Sequence, residues 1–181
     1  AQVWFDRGLN WLYGFNHGEA IACFQKLLEF DPGCAMAYWG ISYAAGPNYN
    51  LPWHRYDPAG KAAALAAAYD AMQNALTHAG GASPVEQALI RALPARYPQR
   101  ESIEDQSPWD AAYADAMREV FRAHRDDLEV REVFAESILN LTPSTISHHV
   151  TRLQAAGLVS ASAQQYYRIY TLNVDALRSL A

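Results

Sequence analysis

The sequence is poor in cysteine and has no long apolar stretch. Its 181 residues include 2 cysteines, Cys23 and Cys34, both set among apolar residues of helical pattern, which favours free thiols over a disulfide framework. No apolar run approaches the roughly 18 residues of a membrane-spanning helix, so no membrane partner is expected. The first residues lack a secretory signal, which predicts a cytoplasmic protein, although a chain that starts inside an amphipathic helix without Met leaves a preceding targeting segment open.

The sequence also lacks the short motifs that mark common enzyme classes. It contains no GxSxG, no phosphate-binding loop, no GxGxxG and no HExxH pair, and its 6 histidines are scattered. We therefore predict no enzyme, no catalytic residue, no cofactor and no metal site. His54, beside Trp53 and Tyr56, belongs to the one cluster of interest, and a packed loop is the favoured interpretation of it.

A helix with a polar exposed face is predicted after Thr142. This threonine suits an N-cap and Pro143 suits the first helical position, and apolar residues recur at helical spacing from Ile146 to Leu153. Gly157 would end the helix. The opposite face carries side chains that can hydrogen-bond phosphates or base edges: Ser144, Thr145, Ser147, His148, Thr151 and Arg152. On its own, such a face is more often a solvated surface.

A β-hairpin is predicted directly behind this helix. The segment VSASAQQYYRIYTLN starts as an apolar strand, turns, and continues as an aromatic and β-branched strand from Tyr166 to Leu172. In STISHHVTRLQAAGLV and YYRIYTLN the chain resembles the C-terminal half of the ArsR-like winged helix-turn-helix repressors. The resemblance implies a duplex DNA partner, with Ser144, Thr145, Ser147, His148 and Arg152 in the major groove and Gln164, Gln165 and Arg168 on the wing.

The other end of the chain resembles a tetratricopeptide repeat over residues 1–34. The positions that interlock two antiparallel helices in that repeat are Trp4, Gly8, Trp11, Ala20, Phe24 and Pro32. A second unit starts at Ala35, is interrupted at GPNYNLPW, and has its partner helix over Pro58 to Ala79. CAMAYWG, GPNYN, AYADAM and VFAESILNL look like a bacterial group of tetratricopeptide-like proteins. This implies a helical scaffold for a protein or peptide partner and no reaction.

Three further helices follow, which makes seven before Thr142. Capping boxes are predicted ahead of two of them, and Pro94, Pro98 and the polar run QRESIEDQS separate these two. The box residues are Ser83, Pro84 and Glu86 before Val85–Leu93, and Ser107, Pro108 and Asp110 before Trp109–His124. The last helix, Leu128 to Asn140, fits both resemblances.

Charge is distributed unevenly between the two ends. Residues 142–181 hold three arginines and one aspartate, a net charge of +2, and because the whole chain carries −5, residues 1–141 carry −7. The sign suits DNA, but with three arginines a monomer would bind weakly. A homodimer would double the contacts and span two half-sites about one helical turn apart.

We predict a mainly α protein with tetratricopeptide-like antiparallel helix pairs over residues 1–127 and a shortened winged helix-turn-helix with one β-hairpin over residues 128–181. The expected function is DNA-binding transcription regulation of ArsR-like type, with the helical-repeat domain receiving a partner. The alternative is a tetratricopeptide-like interaction scaffold that does not bind DNA.

Overall fold

The computed structural model describes residues 1–48, 50–139, 159–164 and 167–172. This part of the chain is mainly helical, which confirms the predicted class, and its seven helices match the predicted number. The helices are α1 (Gln2–Tyr13), α2 (His17–Leu28), α3 (Ala35–Ala45), α4 (Pro58–His78), α5 (Pro84–Arg96), α6 (Ser107–Ala123) and α7 (Leu128–Leu139). Single 3-10 turns lie at Trp53–Arg55 and Ala79–Gly81. The chain divides into two compact units, Ala1–Asn140 and Leu141–Ala181.

Side chains that accept backbone N–H groups set the starts of several helices. Asn16 accepts from the N–H of Glu19, and Asp57 accepts from the N–H groups of Ala59 and Gly60. At the start of α5 the Ser83 hydroxyl accepts from the N–H of Glu86, while the Glu86 carboxylate accepts from the N–H of Ser83. The first predicted capping box is therefore confirmed.

The second predicted capping box is wrong. Helix α6 begins at Ser107 with Gln106 as its N-cap, and no side-chain cap hydrogen bond forms there. Ser107 is already the first helical residue, so its side chain does not stand at the N-cap, and its hydroxyl donates to the Asp105 carboxylate at 2.6 Å. Pro94 also departs from the prediction, because it lies inside α5 and the helix continues to Arg96. Pro94 has no N–H and cannot bond to the carbonyl of Ile90, but the helix ends two residues later, at Arg96.

Each helix of the first unit packs against the next, and alternate helices also meet, α1 with α3 and α3 with α5. Helix α2 is held between its neighbours by Phe24, which is fully buried. A Cβ built on Gly8 of α1 or on Gly40 of α3 would stand within 2.6 Å of this ring. Two glycines thus let three helices approach closely around one aromatic side chain.

The second unit contributes a pair of antiparallel strands, β1 (Val159–Gln164) and β2 (Tyr167–Leu172). Their register pairs Val159 with Leu172 and Gln164 with Tyr167. Across both units, the described helices include none whose length and apolar content would suit a bilayer crossing.

Candidate functional site

A fully buried arginine marks the polar centre of the first unit. Arg96 is the last residue of α5 and is 1% exposed. A cation is favoured at a helix C-terminus, where the free carbonyl groups carry partial negative charge. Leu89, Leu93 and Arg96 follow one another at helical spacing, so the arginine occupies the buried face of its helix.

Three tyrosine rings surround the Arg96 guanidinium. Its central carbon lies 4.6 Å from the ring centre of Tyr43, 4.9 Å from that of Tyr113 and 5.6 Å from that of Tyr97. These distances allow cation–π attraction, which is strongest where water is excluded. Three helices, α3, α5 and α6, therefore converge on one positive charge.

The hydrogen bonds of this cluster are incomplete within the part of the chain that the structure describes. Arg96 Nη2 donates to the Pro47 carbonyl at 2.6 Å, which ties α5 to the segment after α3. Arg96 Nη1 and the Tyr113 hydroxyl are both buried and close to each other, and neither makes a hydrogen bond of normal geometry to a described residue. Leaving a buried charged donor unpaired is costly, so these groups are suited to an additional oxygen acceptor.

Two carboxyl groups lie at the edge of the cluster. Glu136 of α7 accepts a hydrogen bond from the Tyr43 hydroxyl. Asp110 of α6 is half-buried, and burial raises its pKa to about 6 although Arg96 acts in the opposite direction. Burial also raises the pKa of Tyr113 to about 12, so the tyrosines stay neutral and act as hydrogen-bond donors.

Arg96 itself keeps its charge. Burial disfavours the charged form, but interactions with the surrounding tyrosines and with Glu136 raise the pKa of Arg96 above its ordinary value. The cluster is therefore a permanently positive, donor-rich site in an apolar surrounding. Such a site can hold a carboxylate or carbonyl oxygen.

A concave surface lies between α1 and α2. Its volume is about 480 Å³ and its lining residues are Trp4, Arg7, Asn10, Trp11, Glu19 and Cys23. The Arg7 guanidinium lies 5.0 Å from the Trp4 ring centre. The volume falls within the range of small-ligand sites. The charged residues that line this open groove are Arg7 and Glu19, and they do not form a network with other polar groups of the lining.

The predicted His54 cluster is a packed loop. Trp53 is buried with its ring 5.3 Å from that of Tyr56, and the Tyr56 hydroxyl donates to the Gly46 carbonyl at 3.2 Å. His54 itself is exposed. Both cysteines are free thiols, Cys23 buried and Cys34 partly buried.

Most of the predicted DNA-binding residues lie outside the described part of the chain. Gln164 is the last residue of β1, and Arg168 lies in β2 opposite Ala163. The residues outside the described segments are Ser144, Thr145, Ser147, His148, Thr151, Arg152 and Gln165. Their role in DNA binding stays a prediction.

The Arg96 cluster was not predicted from the sequence. The available signal was the position of Arg96 on the apolar stripe of α5, three residues after Leu93. Comparison with protein-family models, curated proteins and solved structures found no match to this chain.

Proposed function

We propose that this chain is a two-part regulator, in which the helical unit binds a protein or peptide partner and the C-terminal segment contacts duplex DNA. The observation that carries this proposal is the separation into two compact units, with the paired strands in the second. Each part has its own support. As an ArsR-like regulator it would act in the cytoplasm.

The packing of the first unit supports a helical-repeat scaffold. Phe24 joins α1, α2 and α3 through the glycine contacts described above. Gly8 and Phe24 occupy positions that the tetratricopeptide pattern assigns to interlocking residues. The contacts of α1 with α3 and of α3 with α5 repeat at an interval of two helices. Stacked helix pairs of this kind offer extended surfaces to peptides and proteins.

The second unit supports DNA contact through its strands and its charge. The predicted recognition helix precedes β1 in sequence, and the β1–β2 pair follows it as the wing of a winged helix would. Arg168 lies in β2, and the segment from 142 to 181 carries a net charge of +2. Proposed contacts are Ser144, Thr145, Ser147, His148, Thr151, Arg152, Gln164, Gln165 and Arg168.

The test is fluorescence anisotropy of a labelled mixed-sequence duplex, titrated with the full chain at two salt concentrations. We expect salt-sensitive binding by the natural chain and its loss in the Arg152→Ala, Arg168→Ala double variant. Each phosphate contact removed should lower the slope of log K against log salt by about 0.9. The matched control is Arg118→Ala, Arg122→Ala, which removes the same charge from surface ion pairs on α6.

Equal losses in both double variants would contradict the assignment of DNA contact to the second unit. No binding at low salt by the folded chain would contradict DNA contact altogether. It would leave the second candidate function, an interaction scaffold without DNA binding, which has the interlocked helices of the first unit as its own support.

A further inference from the structure

Helix α7 packs on the first unit through a narrow apolar face. Val130, Val133 and Ser137 are buried, and the Phe134 ring stacks at 5.0 Å on Phe121 of α6. The spacing of Val130, Val133 and Ser137 places them on one side of the helix. The helix is thus amphipathic and depends on its neighbours for burial.

Acidic side chains of α7 face donor groups on earlier helices. Glu136 accepts from the Tyr43 hydroxyl, a contact between residues 93 positions apart in sequence. At the end of α1, burial and the carboxylates of Glu132, Glu129 and Glu136 raise the pKa of Tyr13. The negative charges of α7 therefore lie near tyrosines of both α1 and α3.

The buried cluster around Tyr43 is rich in donors that α7 leaves unused. The Trp39 ring stacks on Tyr43 at 5.1 Å, and Arg96 and Tyr113 continue the same cluster. Trp39 Nε1, Arg96 Nη1 and Tyr113 Oη are buried and make no hydrogen bond of normal geometry to a described residue. One carboxylate from α7 thus meets a buried, positively charged cluster with three further donors.

We propose that the cluster of Trp39, Tyr43, Arg96 and Tyr113, which is buried while α7 is in place, binds an acidic amphipathic helix of a partner protein when α7 is displaced, and that α7 is its intramolecular ligand. The proposal rests on the proposed partner-binding role of the helical unit and names its site and ligand class. An apolar stripe of the partner helix would take the place of Val130 and Val133 of α7. Acidic residues of the partner helix would reach Tyr43 and Arg96.

Competition with α7 sets a requirement on the partner helix. An intramolecular helix competes at a high effective concentration. A successful partner helix therefore uses donors that α7 leaves free.

The test uses the full chain and a labelled synthetic peptide with the sequence of residues 127–139. In the chain, Glu136→Ala removes the acceptor of the Tyr43 hydroxyl and so weakens the packing of α7 against the cluster. We expect this chain to bind the natural peptide ~10-fold more tightly than the natural chain does, the effect of one hydrogen bond to a charged group. The same Glu136→Ala change in the peptide should weaken binding by a similar factor.

The matched control is Glu132→Ala, which removes the same charge from an exposed position of α7. This control should change the affinity less than Glu136→Ala, both in the chain and in the peptide. Equal effects of the two substitutions would overturn the proposal, because general charge would then explain the result. Absence of peptide binding by the folded Glu136→Ala chain would also overturn it.

Hydrogen exchange of the natural chain supplies a test that does not depend on the folding of a variant. We expect the amides of α7 to exchange faster than those of α3, and added peptide to speed exchange in α7 while slowing it in α3. Unchanged exchange at saturating peptide would overturn the proposal. Neither experiment includes DNA, so failure of DNA binding in the anisotropy test and failure of peptide binding are separate results.

Discussion

The ring of Phe24 lies against the α-carbon of Gly40, so close that a Cβ on this glycine would stand 2.6 Å from Phe24 Cε2. A Cβ on Gly8 would stand 2.5 Å from Cε1, at the other edge of the same ring. Phe24 has no exposed surface and no open side into which it could move. The spacing of α1, α2 and α3 therefore depends on two residues that have no side chain.

Gly40→Ala should destabilise the chain by about 1–3 kcal/mol, because the added methyl group overlaps a confined ring. Alanine is otherwise the better helix former by about 1 kcal/mol, so the loss would oppose the intrinsic preference. The matched control is Gly18→Ala in α2, where no atom beyond the adjoining backbone of its own helix lies within 4 Å of the position that the new Cβ would take. Urea-induced unfolding followed by circular dichroism gives both free energies. Equal stabilities of the two variants would contradict the interlocking role of Phe24.

Helical periodicity was sufficient to predict the number of helices in the first unit. The predicted Pro58–Ala79 and Leu128–Asn140 helices correspond to α4 and α7 within one residue at each end. Local signals are strong for these two helices because Asp57 and Asp127 accept backbone N–H groups at their starts. The end of α5 was less predictable. A proline usually stops a helix, and whether a helix continues past Pro94 depends on the structure around it.

The Arg96 cluster could not be predicted in the same way. Arg96, Tyr43 and Tyr113 lie on three different helices, and Glu136 comes from a fourth. A single sequence shows the apolar stripe of each helix but not which residues of distant helices meet. A charged residue on an apolar stripe was the one local indication, and burial of an arginine is rare enough that exposure is the usual expectation.

The two predicted capping boxes differ in the structure, and their stabilities should differ as well. Ser83→Ala removes a cap that has both reciprocal hydrogen bonds, so we expect a loss of about 1 kcal/mol, or a fall in Tm of about 2–4 °C. Ser107→Ala removes a hydroxyl that bonds to Asp105 and caps no helix. Its effect on thermal unfolding should be less than half as large. A larger effect at Ser107 would place the functional cap of α6 there.

Arg96→Lys should be strongly destabilising although the charge is kept. A lysine ammonium lacks the planar group that contacts three tyrosine rings and is more strongly hydrated, so its burial costs more. Loss of the bond to the Pro47 carbonyl adds to this, and together we expect about 2–3 kcal/mol in urea unfolding. Arg91→Lys, at an exposed position of the same helix, is the control and should change stability by less than about 0.5 kcal/mol. Similar values for both variants would show that Arg96 is not held by its rings.

Asp110 should make the folded state less stable as the pH rises from about 4 to about 6. Burial raises the folded pKa of this carboxyl from 3.8 to about 6, with Arg96 opposing and Asp105 adding to the shift. Between these two values the folded chain holds a proton that the unfolded chain has lost, so stability falls with rising pH and levels off above the folded pKa.

Asp110→Asn keeps the size of the side chain and removes this titration. We expect the variant to be more stable than the natural chain by about 1–2 kcal/mol at pH 7.5, with allowance for solvent screening of a half-buried group, and to gain little at pH 4. The measurement is urea unfolding at both pH values, with Asp115→Asn at an exposed position of α6 as the control. An equal gain at pH 4 and pH 7.5 would contradict the raised pKa, because the benefit of the neutral amide would then not depend on ionisation of Asp110.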